Sequence, residues 1–127
     1  MRIGMIAPPW FPLPPQRYGG IEFVVSLLTE GLVARGHDVT LLASGDSETR
    51  ATLHAIFSRA PFEQMENGHH LEVMHSLEAY RQAAEFDFSR THAGLASRAM
   101  GALVHRLEGT PVVATLHGPA DPVTQQA

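Results

Sequence analysis

The 127-residue chain predicts a three-layer α/β domain built around a parallel sheet. Three observations carry that prediction. Short apolar runs rich in β-branched residues alternate with longer segments of helical periodicity. Proline or glycine punctuates most of the joints between them. The length suits one compact domain, and 44% apolar with 17% charged residues suits a packed core rather than a disordered chain.

Each element follows from a local pattern. Arg2–Ala7 (RIGMIA) is a short apolar run stopped by Pro8 and Pro9, as a buried strand would be. Gly20–Arg35 carries Ile21, Val24, Val25, Leu28 and Leu32, an apolar stripe down one helix face. Gly36 is placed to stop that helix, because glycine accepts the left-handed conformation after a last turn. Val39–Ala43 (VTLLA) is a second strand, bounded by Ser44-Gly45-Asp46-Ser47, which completes a parallel crossover unit. Ala51–Phe57 is compatible with strand or helix, and Pro61–Gly68 reads as a loop. Leu71–Glu85 is predicted helical from Leu71, Met74, Leu77 and Arg81. Phe86–Thr91 (FDFSRT) alternates apolar and polar residues and reads as a strand. Gly94–Leu107 is a helix with Leu95, Ala99, Leu103 and Leu107 in register, Gly101 being a mild cost inside it. Pro111–Leu116 (PVVATL) is the last strand.

Composition excludes several kinds of chemistry. There is no cysteine, hence no disulfide framework, thiol nucleophile or thiolate metal site. All nine cationic side chains are arginine, so a P-loop lysine and a Schiff-base lysine are impossible. The arginines are scattered and the net charge is −4, which leaves nucleic-acid binding without an electrostatic footprint. No apolar run approaches a membrane span. The apolar stretch before Pro8 is too short for a signal-peptide core, so the cytoplasm is the expected compartment.

In an open parallel sheet, ligands bind beyond the carboxyl ends of the strands where the strand order reverses. Three segments should meet there: the loop after the first strand, the segment at His92 and the segment at His117. The loop PPWFPLPPQRYGG (Pro8–Gly20) holds five of the nine prolines and is stiff. Its Trp10, Phe11 and Tyr18 can present aromatic faces over a pocket; as a plain structural element it is a rigid connection. A PxxP ligand for an SH3-like partner is disfavoured, because the segment opens a folded crossover rather than a tail. Gly19 and Gly20 let backbone N–H groups approach an anion where the helix dipole is positive, and a tight turn explains them equally well. Glu22 in the first turn suits the dipole. His92 and His117 end adjacent strands, beside the glycine pair, and favour a polar ligand.

The other histidines point nowhere in particular. His69 and His70 fall in a loop, and the spacing of His70 and His75 does not place them on one helix face, so no metal site is expected. His37 suits a helix end, where its cation complements the dipole. His54 and His105 read as surface, and the acidic residues between Glu63 and Glu85 as solvated faces. No Ser/His/Asp triad is indicated.

The runs MRIGMIAPPWFPLPPQRYGGIE and LLTEGLVARGHDVTLLASGDSET resemble the N-terminal domain of family-4 retaining glycosyltransferases, and PVVATLHGPADP resembles its fifth-strand region. The likeness covers nearly the whole chain, 1–127, apart from an unspecific middle from Ala51 to Tyr80. It implies a Rossmann-like domain forming the acceptor-side half of a GT-B arrangement, in which two such domains face each other across a cleft. Gly19 and Gly20 would then contact the donor diphosphate. His92 would reach the donor sugar as the catalytic histidine, with His117 and Gly118 lining the donor site beside it. Tyr18, Trp10 and Glu22 would face the acceptor. The implied partners are a UDP- or GDP-linked sugar nucleotide and an acceptor of unknown identity, with no cofactor and no metal. The family's donor-binding C-terminal domain is absent from these residues, a separately encoded one is one candidate partner, and the chain alone is expected to be inactive.

The fourth-strand segment departs from the family, whose aliphatic residues give way to Phe86-Asp87-Phe88-Ser89-Arg90-Thr91-His92. Arg90 in a central buried strand would be expensive unless paired, which suggests a frayed edge. Two other readings share the fold. One is a stand-alone non-catalytic binding module, or the remnant of a truncated gene, that exposes an apolar face and either self-associates as a homodimer or is poorly soluble. The other is a small nucleotide-binding protein of flavodoxin type.

Overall fold

The computed structural model describes residues 1–117. Gly118, expected beside the donor, lies outside them. Five parallel strands form one sheet: β1 (Arg2–Ile6), β2 (Asp38–Leu42), β3 (Thr52–His54), β4 (Phe88–Thr91) and β5 (Val112–Ala114). Three helices connect them: α1 (Gly20–Ala34), α2 (His69–Arg81) and α3 (Leu95–Glu108). The spatial order is β3-β2-β1-β4-β5, so the chain steps outward from β1 on one side and returns to β4 on the other. The order therefore reverses between β1 and β4.

Strand alternation divides the core in two. Ile3, Met5, Val39 and Leu41 face α1, which contributes Val25, Ile21, Leu28 and Leu32. Ile6 and Leu42 point the other way, into a core made with Ala79 and Tyr80 of α2 and Met100 and Val104 of α3. The helix stripe expected on α1 holds except at Val24, which is 45% exposed. Val24 sits about a quarter-turn from the centre of the buried stripe, at the angle of 3.6 residues per turn.

The inward faces of α2 and α3 differ more from expectation. Met74 and Leu77, and likewise Leu103 and Leu107, point to solvent. His75, Ser76, Ala79 and Tyr80 are the buried residues of α2. Close packing is the reason. Small residues let the two helices approach, and Tyr80 fills the space between them. A Cβ at Gly101 would lie 2.7 Å from the Tyr80 hydroxyl and 2.8 Å from Val112 Cγ1. That glycine is a packing requirement rather than a tolerated weakness.

Strand β4 is internal, not a frayed edge. Register puts Phe88, Arg90 and Val113 on the α1 face, and Ser89 and Thr91 on the other. Over β4 and β5 the α1 face is open enough that Val113 is 46% exposed. Arg90 is thus half-buried, and its Nε donates to Thr115 Oγ1 at 3.2 Å. The expected burial penalty falls away because this face is only partly covered.

Several histidines also change place. His69 and His70 lie in the first turn of α2 rather than in a loop. Gly36 closes α1 with φ +88, but His37 turns away and its Nδ1 accepts from the Met1 ammonium at 3.3 Å. His54 is half-buried and paired with Glu78 at 2.8 Å, so neither residue is simply solvated. Among the described residues, no helix is long and apolar enough to cross a membrane.

Candidate functional site

The loop after β1 is folded back and anchored rather than merely stiff. Leu13 is fully buried in the α1 core. Its N–H donates to Ser47 Oγ at 2.9 Å, and its carbonyl accepts from the Glu48 N–H at 2.7 Å. Phe11 stacks on Phe62 and meets Tyr18 edge-on. From below, the buried His75 donates from Nε2 to the Ala7 carbonyl at 2.7 Å, capping the end of β1. Burial pushes the pKa of His75 down, which keeps its ring neutral.

The loop ends at Gly19, whose φ of +138 is open to glycine alone. A Cβ there would lie 2.9 Å from both Pro15 Cβ and Glu22 Oε2. Glu22 therefore folds its carboxyl back over the start of α1, and it is 96% buried, being only 4% exposed. Desolvation raises its pKa, against a smaller lowering by its own backbone N–H. A carboxyl with a raised folded-state pKa destabilises the fold as pH rises from the ordinary carboxyl range through that pKa. Glu22→Gln should accordingly raise the unfolding free energy near neutral pH by on the order of 1 kcal/mol. Urea unfolding measures it, and an unchanged or lower midpoint would count against a buried carboxylate.

Across the switch point, the His92 N–H donates to the Ile6 carbonyl at 2.8 Å, locking the end of β4 to the end of β1. Beneath it, Thr91 Oγ1 accepts from the Ala93 N–H and meets Ser97 Oγ at 2.9 Å. This hydroxyl pair braces the turn into α3. The His92 ring is 3% exposed, and its Nδ1 shares a hydrogen bond with His117 Nε2 at 2.9 Å. Burial, then the nearby His117 and Arg90, lower the His92 pKa to about 4. Near neutral pH the ring is an uncharged hydrogen-bonding group and not a proton reservoir.

These segments enclose a cavity of about 450 Å³ at the sheet's reversal point, within the range of small-ligand sites. It is lined by seven of the expected site residues: Trp10, Tyr18, Gly19, Gly20, Glu22, His92 and His117. The sequence did not announce two more, Glu72 of α2 and Arg98 of α3. They lie far apart along the chain and match no motif. The only pointer was Arg98's position one turn into a helix that opens at a strand end. Among the described residues, five buried side-chain polar atoms lack a hydrogen-bond partner. Three of them, Glu72 Oε1, His92 Nε2 and Arg98 Nε, belong to residues of this one cavity, and the others are the hydroxyls of Thr29 and Ser76. No three acidic or histidine side chains among the described residues are grouped to hold a metal ion.

A doubly wound parallel sheet with a cavity at its reversal point defines a Rossmann-like ligand-binding domain, of the kind that forms one half of a GT-B pair. The chain belongs to glycosyltransferase family 4, whose family model matches residues 18–126. A search of curated proteins found no match. Family membership makes this a glycosyltransferase domain, whose partners are a glycosyl donor and an acceptor.

Proposed function

We propose that residues 1–127 form the N-terminal, acceptor-side domain of a retaining glycosyltransferase that uses a UDP- or GDP-linked sugar. The anomeric C–O bond to the diphosphate breaks, and a bond to an acceptor hydroxyl forms with the same configuration. The observation that carries this reading is the cavity at the β1/β4 reversal, where the Gly19–Gly20 turn at the head of α1 faces a neutral His92. Backbone N–H groups at the head of α1, where Gly20 is exposed, and the α1 dipole suit the charge that grows on a departing diphosphate. A neutral imidazole suits orientation of the donor sugar, with His117 holding its ring. Trp10, Tyr18 and Glu22 form the wall offered to the acceptor. Gly118, beyond the described residues, keeps its proposed place beside the donor.

Catalysis needs a second domain to close the cleft. The isolated chain should bind UDP-glucose or GDP-mannose weakly, with about millimolar affinity, and turn over neither. NMR titration should shift the Gly19 and Gly20 amides, and Gly19→Ala should abolish that response. Sugar transfer by the pure chain, or nucleotide binding without any effect at these glycines, would contradict the proposal. The expected cytoplasmic location belongs to the same proposal.

One observation favours a second reading, self-association as a homodimer. Phe23 and Leu27 of α1, and Val113 and Leu116 at the β5 edge, are all about half exposed or more. Exposed apolar surface of this kind promotes association. A concentration-independent monomer in sedimentation would count against it.

A further inference from the structure

We infer that Glu72 and Arg98 together read hydroxyl groups of an uncharged polyol, so that the acceptor taken by this cavity is a neutral sugar-like molecule rather than a phosphorylated or carboxylated one. The inference rests on the acceptor-side reading proposed above. Its basis is the set of unpartnered polar atoms. Buried polar groups are nearly always paired, so three orphans on residues that line one cavity point to a ligand that meets them once the side chains turn toward it.

The chemistry of the three atoms restricts that ligand. Glu72 Oε1 can only accept while ionised, and Arg98 Nε can only donate. His92 Nε2 does one or the other, depending on its tautomer. Glu72 of α2 and Arg98 of α3 both line the cavity. The Glu72 carboxylate lies against Gly94, where a Cβ would collide with it. Arg98 sits one turn further on, its N–H donating to the Gly94 carbonyl. Yet the two side chains close no ion pair within 4.0 Å. A polyol offers both kinds of group, hydroxyls that donate to Glu72 and hydroxyls that accept from Arg98. An anion would satisfy Arg98 alone and leave Glu72 without a donor. The aromatic side chains of Trp10 and Phe11, which also line the cavity, suit the C–H face of a ring.

The test uses the full chain, with NMR signals of the Arg98 Nε–H and the His92 ring as reporters. Methyl α-D-glucopyranoside and myo-inositol are the neutral probes. Glucose 6-phosphate and inorganic phosphate are the anionic ones. At least one neutral probe should shift the Arg98 signal at lower concentration than either anion. Glu72→Gln and Arg98→Gln should each weaken neutral binding by about tenfold, the loss expected for one charge-assisted hydrogen bond. Glu72→Gln should also bring the anions closer to parity, an effect that a merely structural Glu72 would not produce. Dispersed amide spectra establish that each variant is folded, and Arg98→Lys, which keeps the charge without the fork, serves as a second variant. Tighter binding of the anions at Arg98, or no response there to any probe, overturns the inference. The donor proposal fails separately, on the Gly19 and Gly20 amides with sugar nucleotide, while polyol binding at Arg98 stands or falls by its own signals.

Discussion

Gly4→Ala should lower the unfolding free energy by about 2–3 kcal/mol, the overpacking cost of one methyl group in a tight core. Gly4 is the middle residue of β1, the central strand, and it is buried. On the side of the sheet that faces α2 and α3, the Phe86 ring lies directly over its Cα. A Cβ there would stand 2.6 Å from Phe86 Cδ2 and 2.8 Å from Cε2. Phe86 has little room to yield, because it is 9% exposed and packs with Ala83, Ala79 and Tyr80. The backbone carrying it is also held, since the Asp87 N–H donates to the Arg2 carbonyl at 2.7 Å and the Arg2 N–H to Asp87 Oδ2 at 2.7 Å. Urea unfolding of Gly4→Ala, Phe86→Leu and the double variant forms a cycle. The double variant should be more stable than the sum of the single losses implies, because a smaller residue at 86 makes room for the methyl. Additive losses would mean that the ring and the glycine are not in conflict.

The second large effect is on pH. His92 and His75 both have folded-state pKa values below the ordinary imidazole value, His92 at about 4. For each, the unfolded chain takes up a proton at a higher pH than the native one. The unfolded state therefore binds more protons as pH falls below about 6.5, and stability drops. For His92 the window runs from about 6.5 down to about 4, below which both states are protonated. By about pH 5 its contribution should be a loss on the order of 2 kcal/mol relative to pH 7. Glu22 acts with the opposite sign above the ordinary carboxyl range, so the comparison is cleanest in a Glu22→Gln background. There, replacing His92 with Gln should flatten the decline seen in urea midpoints between about pH 7 and pH 5. A decline of unchanged steepness would show that His92 is not the group being protonated. The same neutrality bears on function. Donor binding should show no pH dependence from His92 near neutrality, so an imidazole-like inflection there would belong to another group.

How far the site could be read in advance depended on where each residue sits relative to a strand end. Gly19, Gly20, His92 and His117 follow strands or open helices, and parallel topology sends all such positions to one edge. That inference needs no knowledge of side-chain packing. Glu72 and Arg98 are different. They lie inside helical segments, and which way a helix turns its residues depends on what it packs against. The apolar periodicity of α2 and α3 located both helices and misjudged both faces. Leu77, Leu103 and Leu107 look like core residues in sequence, but Ser76, Ala79 and Gly101 are the ones that fit around Tyr80.

The sequence by itself determined the order and nature of the main elements other than β3, which it left open between strand and helix, because short apolar runs, helical spacing and Pro or Gly stops are local properties. It determined, through the absence of cysteine and lysine, which chemistries are closed to this chain. It also placed two histidines and a glycine pair at the working edge of a parallel sheet. Only the tertiary structure decided that β4 is internal and still tolerates Arg90, because the open flank of the sheet lets the guanidinium reach Thr115. Only it decided that Gly4 must lack a side chain, that Glu22 is buried over the head of α1, and that Glu72 and Arg98 line one cavity without forming an ion pair. Those facts depend on distances between segments remote in the chain, which close packing sets and no local pattern encodes.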